Sequence, residues 1–262
     1  MIVATLAGLL CGLVGTYVVL RGMSYIGHGL SHAIFGGAVA SFVMNINFYV
    51  GAGVWGFIAS LLIGRVARRR VIGADAAIGV VTTASFAIGL ALVSRHSGFT
   101  RNFDAALFGN ILGVTRSDVI VIALVFVLTG ALVFLFYRPL LFTTFDPEVA
   151  EASGIPTGAV DALFSLVLAA TIVSTLRILG VTLVAAALVI PPATARMMTD
   201  SFARMLGLSM AIGAVSGAVG MYLSYYLNIA SGPAIVLVGA SLFVLVFAYT
   251  SMRNVSRRPL PV

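Results

Sequence analysis

The chain has 262 residues, of which 61% are hydrophobic and 9% charged, against about 25% charged in a soluble domain. That excludes a water-soluble globular protein and points to an all-α, polytopic membrane protein. The net charge of +7 comes from arginine alone, and a chain without lysine cannot supply the phosphate-gripping lysine of a P-loop ATPase.

A transmembrane helix takes about 20 residues, at about 1.5 Å each, to cross a hydrocarbon core of about 30 Å. Apolar runs of that order occur near 2–20, 24–44, 50–65, 76–95, 118–138, 161–177, 179–198, 203–227 and 233–252. They predict eight or nine spans forming one transmembrane domain over 1–262. The run at 50–65 is short, and those at 161–177 and 179–198 are divided only around Arg177 to Gly180. No arginine precedes Arg21, so the first run reads as a retained span rather than a cleaved signal peptide. Cys11 is the single cysteine, which rules out an intrachain disulfide and a cysteine-rich metal site.

Arginine sets the orientation. With the N-terminus outside, the inner side receives Arg21, Arg65, Arg68, Arg69, Arg70, Arg138, Arg196, Arg204, Arg253, Arg257 and Arg258. The outer side receives only Arg95, Arg101, Arg116 and Arg177, as the positive-inside rule asks. Residues 139–160 then form a cytoplasmic loop and 96–117 an extracytoplasmic one. The arginines sit at the ends of apolar runs, not in a patch among aromatics, which argues against nucleic acid as a partner. The acidic residues also fall in loops or at span ends. A proton-driven carrier keeps a carboxylate relay inside the membrane, so that class is disfavoured. Glycines at small-xxx-small spacing, Gly8 with Gly12 and Gly213 with Gly217, predict close helix packing.

Within the second run, Met23 to Ala40 reads MSYIGHGLSHAIFGGAVA. His28 and His32 are four residues apart, so both lie on one helix face. An imidazole in hydrocarbon is costly without a partner or a task, and two on one face can grip a single transition metal. Gly27, Gly29, Gly36 and Gly37 leave room for a close neighbour. Further on, His96 lies in the outer loop SRHSGFTRNFD with Asp104 nearby. It reads as an exposed loop histidine, or as a point where metal is received.

The cytoplasmic loop contains FDPEVAEASGIPTG at 145–158. Asp146 is an N-cap and Pro147 suits the first helical position. Glu148 and Glu151 suit the first turn of a helix dipole, and Gly154 and Pro156 end the element. The result is a helix of about two turns, with a small apolar side that includes Val149, Ala150 and Ala152. Its acidic face repels anionic lipid, so a groove on a cytoplasmic protein suits it better. In LGVTLVAAALVIPPATARMM at 179–198, Pro191 and Pro192 predict a break or kink near Ile190. Broken helices in transporters often line a cavity.

Three stretches together resemble one family. MSYIGHGLSHAIFGG resembles the metal-gripping helix of the permeases of zinc and manganese ABC importers. FDPEVAEASGIPTG is similar to the coupling-helix loop of that family, and LGVTLVAAALVIPPATARMM to its Gly-to-Pro segment. LFGNILGV at 107–114 and SGPAIVL at 231–237 fit as well. The resemblance implies a permease fold like that of the cobalamin and siderophore importers, of the type II ABC class. It also implies a homodimer in a bacterial or archaeal plasma membrane, with lipid around it. Two cytoplasmic ATP-binding subunits would dock on Asp146, Pro147, Glu148, Ala150, Glu151 and Gly154. An extracytoplasmic metal-binding protein would deliver the ion to His28 and His32. No cofactor is held permanently, and the metal is cargo.

One position departs from the pattern. The family has Asp-x-x-Ser-His where this chain has His28, with Ser31 and His32 matching. Imidazole suits zinc and carboxylate suits manganese, so the expected cargo is zinc, with manganese or iron import by the same machinery as the alternative. Two other chemistries fail on the spacing. A b-type haem takes axial histidines from opposite faces, which one helix face cannot supply. An intramembrane metalloprotease needs a general base between its histidines, as in H-E-x-x-H, and here Gly29, Leu30 and Ser31 intervene.

Overall fold

The computed structural model describes residues 1–68, 74–95, 107–109 and 113–256. The expectations for His96, Asp104 and the C-terminal arginines Arg257 and Arg258 fall outside the described residues. Among the described residues eleven helices follow in order: α1 (Ile2–Leu20), α2 (Ser24–Val43), α3 (Phe48–Arg68), α4 (Ala74–Arg95), α5 (Arg116–Leu135), α6 (Tyr137–Phe145), α7 (Pro147–Ala152), α8 (Thr157–Leu179), α9 (Val184–Met198), α10 (Phe202–Leu227) and α11 (Ser231–Ser256). Eight of them are long and apolar enough to cross a membrane. The ninth expected span is α9, whose 15 residues reach only about 22 Å. The short run at 50–65 is the middle of α3, which has 21 residues.

The helices divide into an inner and an outer set. In their most apolar 18-residue stretches, about two-thirds of α1 and α8 and slightly more of α2 are buried, but only 11% of α11. The outer helices turn large apolar side chains outwards, such as Ile120, Val127 and Phe134 on α5 and Val244 and Leu245 on α11. In hydrocarbon those side chains are solvated by lipid and need no protein partner.

The small-residue seam joins α1 to α10. A β-carbon added to Gly8 would lie 2.0 Å from the Gly213 carbonyl oxygen, and one on Gly217 would lie 2.2 Å from that of Ala4. Ser209 Oγ donates to the Gly12 carbonyl at 2.7 Å. Lipid tails are as apolar as leucine, so such backbone contact, rather than hydrophobic burial, drives association here.

Of the break or kink expected at the prolines, the structure excludes the break. Pro191 and Pro192 lie inside α9, which runs unbroken from Val184 to Met198. Pro192 removes the donor for the carbonyl of Leu188, four residues earlier. That carbonyl points at Gly15 of α1, where an added β-carbon would lie 1.9 Å away. The helix continues through both prolines with the glycine backbone of α1 packed directly against the freed oxygen. The chain breaks instead at residues 180–183. Gly180 takes φ +81, a left-handed value that suits glycine. Leu179 lines one small apolar cavity with Gly8 and Gly213, so the break sits level with the second turn of α1 and not at its end. The bare backbone there is satisfied locally: Val184 N–H donates to Gly180 O at 3.2 Å, and Thr182 Oγ1 donates to Leu107 O at 2.8 Å.

The break leaves the alternation of helices intact, because α9 returns the chain to the end where α10 begins. Phe202 of α10 packs against Tyr17, Tyr137 and Phe145, beside the loop that carries α7. The seam predicts a graded response. Gly213→Val meets backbone that cannot yield and should cost about 1–3 kcal/mol, read as a lower melting temperature in detergent. Gly207→Ala on the same helix has open space around it and should leave the melting temperature unchanged. Equal effects would remove the seam as the cause.

Candidate functional site

Helix α2 begins directly from the end of α1. Met23 N–H donates to Val18 O at 2.9 Å and Gly22 N–H to Val19 O at 3.1 Å. With Gly22 at φ +67, this is a Schellman closure. Ser24 then opens α2, and the histidines follow within two turns. The rings of His28 and His32 stand 4.7 Å apart at an interplanar angle of 71°, close enough for one ion to bridge them. His28 is exposed and His32 half-buried.

The neighbours of the pair come from α4 and α9. Phe86 of α4 meets His32 edge-to-face at 5.1 Å and packs on Phe35 at 5.2 Å. Gly29 brings α4 close, since an added β-carbon would lie 2.5 Å from Ile78 Cγ2. On the other side, a β-carbon at Gly27 would lie 3.4 Å from Leu188 of α9, one residue before His28. Ser31 Oγ donates to the His28 carbonyl at 2.8 Å, satisfying a buried hydroxyl within the helix. Among the described residues, no group of three or more His, Cys, Asp or Glu side chains could hold a metal. The pair therefore offers one ring nitrogen each, half of a tetrahedral shell.

Helix α7 has the expected caps. Asp146 accepts from Val149 N–H at 2.9 Å and Pro147 takes the first helical position. Gly154, at φ +79, ends it: Ile155 N–H donates to Ala150 O and Gly154 N–H to Glu151 O, each at 3.0 Å, a second Schellman closure. Ala150 is fully buried and fixes the helix to the body. Glu148, Glu151 and Val149, the last 48% exposed, face outwards. Pro191 and Pro192 are buried in α9, away from this surface.

Two polar clusters escaped the sequence reading. At the α7 end, Arg21 donates through Nη1 to Asp161 Oδ1 at 3.0 Å, through Nη2 to Thr143 Oγ1 at 2.9 Å and through Nε to Thr144 Oγ1 at 3.1 Å. Its guanidinium lies 4.4 Å from the centroid of the Phe164 ring. Burial lowers the Arg21 pKa, and the facing Asp161 carboxylate opposes that shift. At the opposite end, Asp118 is only 3% exposed. It accepts from Arg177 Nη1 at 2.6 Å, from the Thr115 N–H and hydroxyl at 2.7 and 2.8 Å, and from the Tyr49 hydroxyl. The Thr115-x-x-Asp118 capping box was legible as a pattern. The pairing of Arg21 was not, because its partners lie more than 120 residues away.

This geometry has close relatives. The chain is 38% identical to the manganese transport system membrane protein MntC of Halalkalibacterium halodurans, over 97% of this chain and 87% of that one. It is 36% identical to the manganese import system permease protein ScaB of Streptococcus parasanguinis, over 94% and 88%. Its fold matches a chain in the structure of PsaBC from Streptococcus pneumoniae in complex with Fab. There the TM-score is 0.86, with 34% identity over 94% of this chain and 88% of that one. The model of the ABC 3 transport family matches residues 1–250. The fold is therefore that of an ABC metal-importer permease, a multi-pass membrane transport subunit whose ATP hydrolysis belongs to a separate chain, and this protein is a member of the ABC 3 transport family.

Proposed function

We propose that this chain is the permease of an ATP-driven manganese importer in the bacterial inner membrane. It works as one transmembrane domain paired with a second copy, above two cytoplasmic ATP-binding subunits and below an extracytoplasmic metal-binding protein. The observation that carries the cargo is the near full-length likeness to permeases named for manganese, which favours manganese over the zinc expected from the histidines alone.

His28 and His32 are the transit ligands in this reading. Two imidazoles complete neither a tetrahedral nor an octahedral shell, so water, backbone carbonyls or the same pair from the second copy must supply the rest. An incomplete shell suits transport, because a closed site would hold the ion too firmly to release it. Helix α7, with Glu148 and Glu151 outward, is the element that meets the ATP-binding subunit. A second reading, zinc import, rests on His28 alone, since imidazole in place of carboxylate softens the site.

Two experiments test this. In vesicles holding the complete complex, isotope uptake should favour manganese over zinc. His32→Ala should cut uptake at low metal by about tenfold or more, about 1.4 kcal/mol in affinity, without loss of protein from the membrane. A preference for zinc that His28→Asp moves towards manganese selects the second reading. Undiminished uptake of both metals by His28→Ala and by His32→Ala removes the site. Separately, Glu148→Arg with Glu151→Arg should abolish copurification with the ATP-binding subunit, and with it uptake, while the permease still inserts. Continued uptake without any ATP-binding subunit contradicts the importer reading.

A further inference from the structure

We propose that Arg21 is a positioning residue that carries movement of helix α7 to the histidine helix α2. The inference rests on the reading that α7 meets the ATP-binding subunit. One guanidinium grips both flanks of α7: Thr143 and Thr144 in the last turn of α6, just ahead of Asp146, and Asp161 near the start of α8, just beyond Gly154. The Arg21 side chain is 7% exposed. Three nitrogens have a partner and one face of the guanidinium plane lies over the Phe164 ring, so the planar fork is held in one orientation. Both threonines are themselves anchored, Thr143 Oγ1 to Pro139 O at 2.9 Å and Thr144 Oγ1 to Leu140 O at 2.6 Å.

The other end of the link is backbone. Arg21 is the residue that closes α1, its N–H donating to Tyr17 O at 3.0 Å. Two residues on, Met23 is bonded back to Val18 and accepts from Ile26 N–H at 2.9 Å in the first turn of α2. The path from Asp161 to His28 thus runs through one partly buried ion pair and one tight turn. A push on α7 that shifts α6 against α8 must move the guanidinium or break the fork. A moved guanidinium carries the first turn of α2, and with it the histidine pair. A surface ion pair would be worth little. This one is partly buried and forked, so leaving one partner bare is costly.

The test uses the full complex in liposomes with the metal-binding protein, measuring ATP hydrolysis, manganese uptake and copurification of the ATP-binding subunit. Arg21→Gln should keep copurification and hydrolysis while the metal moved per ATP falls about five- to tenfold, a common size for coupling between sites. The uptake KM for manganese should stay unchanged, because no ligand is touched. The exchange Arg21→Asp with Asp161→Arg restores the ion pair but not the fork to the threonines and should recover part of the metal per ATP, which a lost packing contact would not do. Should Arg21→Gln not fold, Arg21→Lys keeps the charge but loses the fork to the threonines, and it should show the same loss in milder form. Unchanged metal per ATP in both variants overturns the proposal. A parallel fall of hydrolysis and uptake with a lower melting temperature, unrescued by the exchange, overturns it too and leaves Arg21 as a static clamp. If Glu148→Arg with Glu151→Arg still copurifies with the ATP-binding subunit, the docking reading fails and the proposal falls with it. If that variant loses copurification while Arg21→Gln keeps normal coupling, only the Arg21 inference fails.

Discussion

No backbone polar group can be left bare in hydrocarbon, and the arrangement of this protein follows from how that demand is met where the helices stop. Most helices meet it by ending beyond the membrane core. The chain at 180–183 ends inside the bundle and meets it with glycine conformation, a local turn and the Thr182 hydroxyl on Leu107. Because these bonds come from protein rather than water, α9 can start deep among its neighbours. It can then run beside α1, α2 and α10 to the α7 end. At the proline pair, the carbonyl freed by Pro192 lies packed against the glycine backbone of α1.

Charge is placed by a related constraint. An ionised side chain inside a bundle persists only when paired and hydrogen-bonded. The described buried charges obey this at both ends: Arg21 with Asp161 near α7, and Asp118 with Arg177 at the far end. Each cluster ties together helices distant in sequence, Arg21 joining α1 to α6 and α8, and Asp118 joining α5 to α3 and α8. Between these fixed ends the histidine pair is polar, uncharged when neutral, and bordered by small or aromatic neighbours. Its nitrogen lone pairs are the ones that the proposed transit of a cation would use, and among the described residues no third His, Cys, Asp or Glu side chain joins the pair.

Local chemistry made much of this legible. The composition, the lengths of the apolar runs and the absence of lysine determined an all-helical membrane protein without its own P-loop. The spacing of His28 and His32 put both rings on one face, because helix periodicity needs no tertiary information. Asp146, Pro147 and Gly154 specified α7 almost to the residue, since caps and left-handed closures act within a few positions of the chain. The glycine pairs on α1 and α10 announced close packing, though not with which partner.

Tertiary structure decided the rest. Proline at 191 and 192 argued for a break or kink, but propensity is a local term, and α9 runs through both prolines while packed against α1 and α10. The true break at Gly180 depends on segment 107–109 and on α11, which approach it from far along the chain. Arg21 read as one more inner-side charge until folding brought Thr143, Thr144 and Asp161 around it, a contact across more than 120 residues that no sequence window contains. The choice between manganese and zinc does not follow from one side chain: His28 alone points to zinc while the named relatives point to manganese, because cargo preference depends on a whole coordination shell. Sequence alone determined which groups are present and their local order along each helix. Only the fold decided which of them meet, because close packing and buried pairing are properties of elements brought together in space.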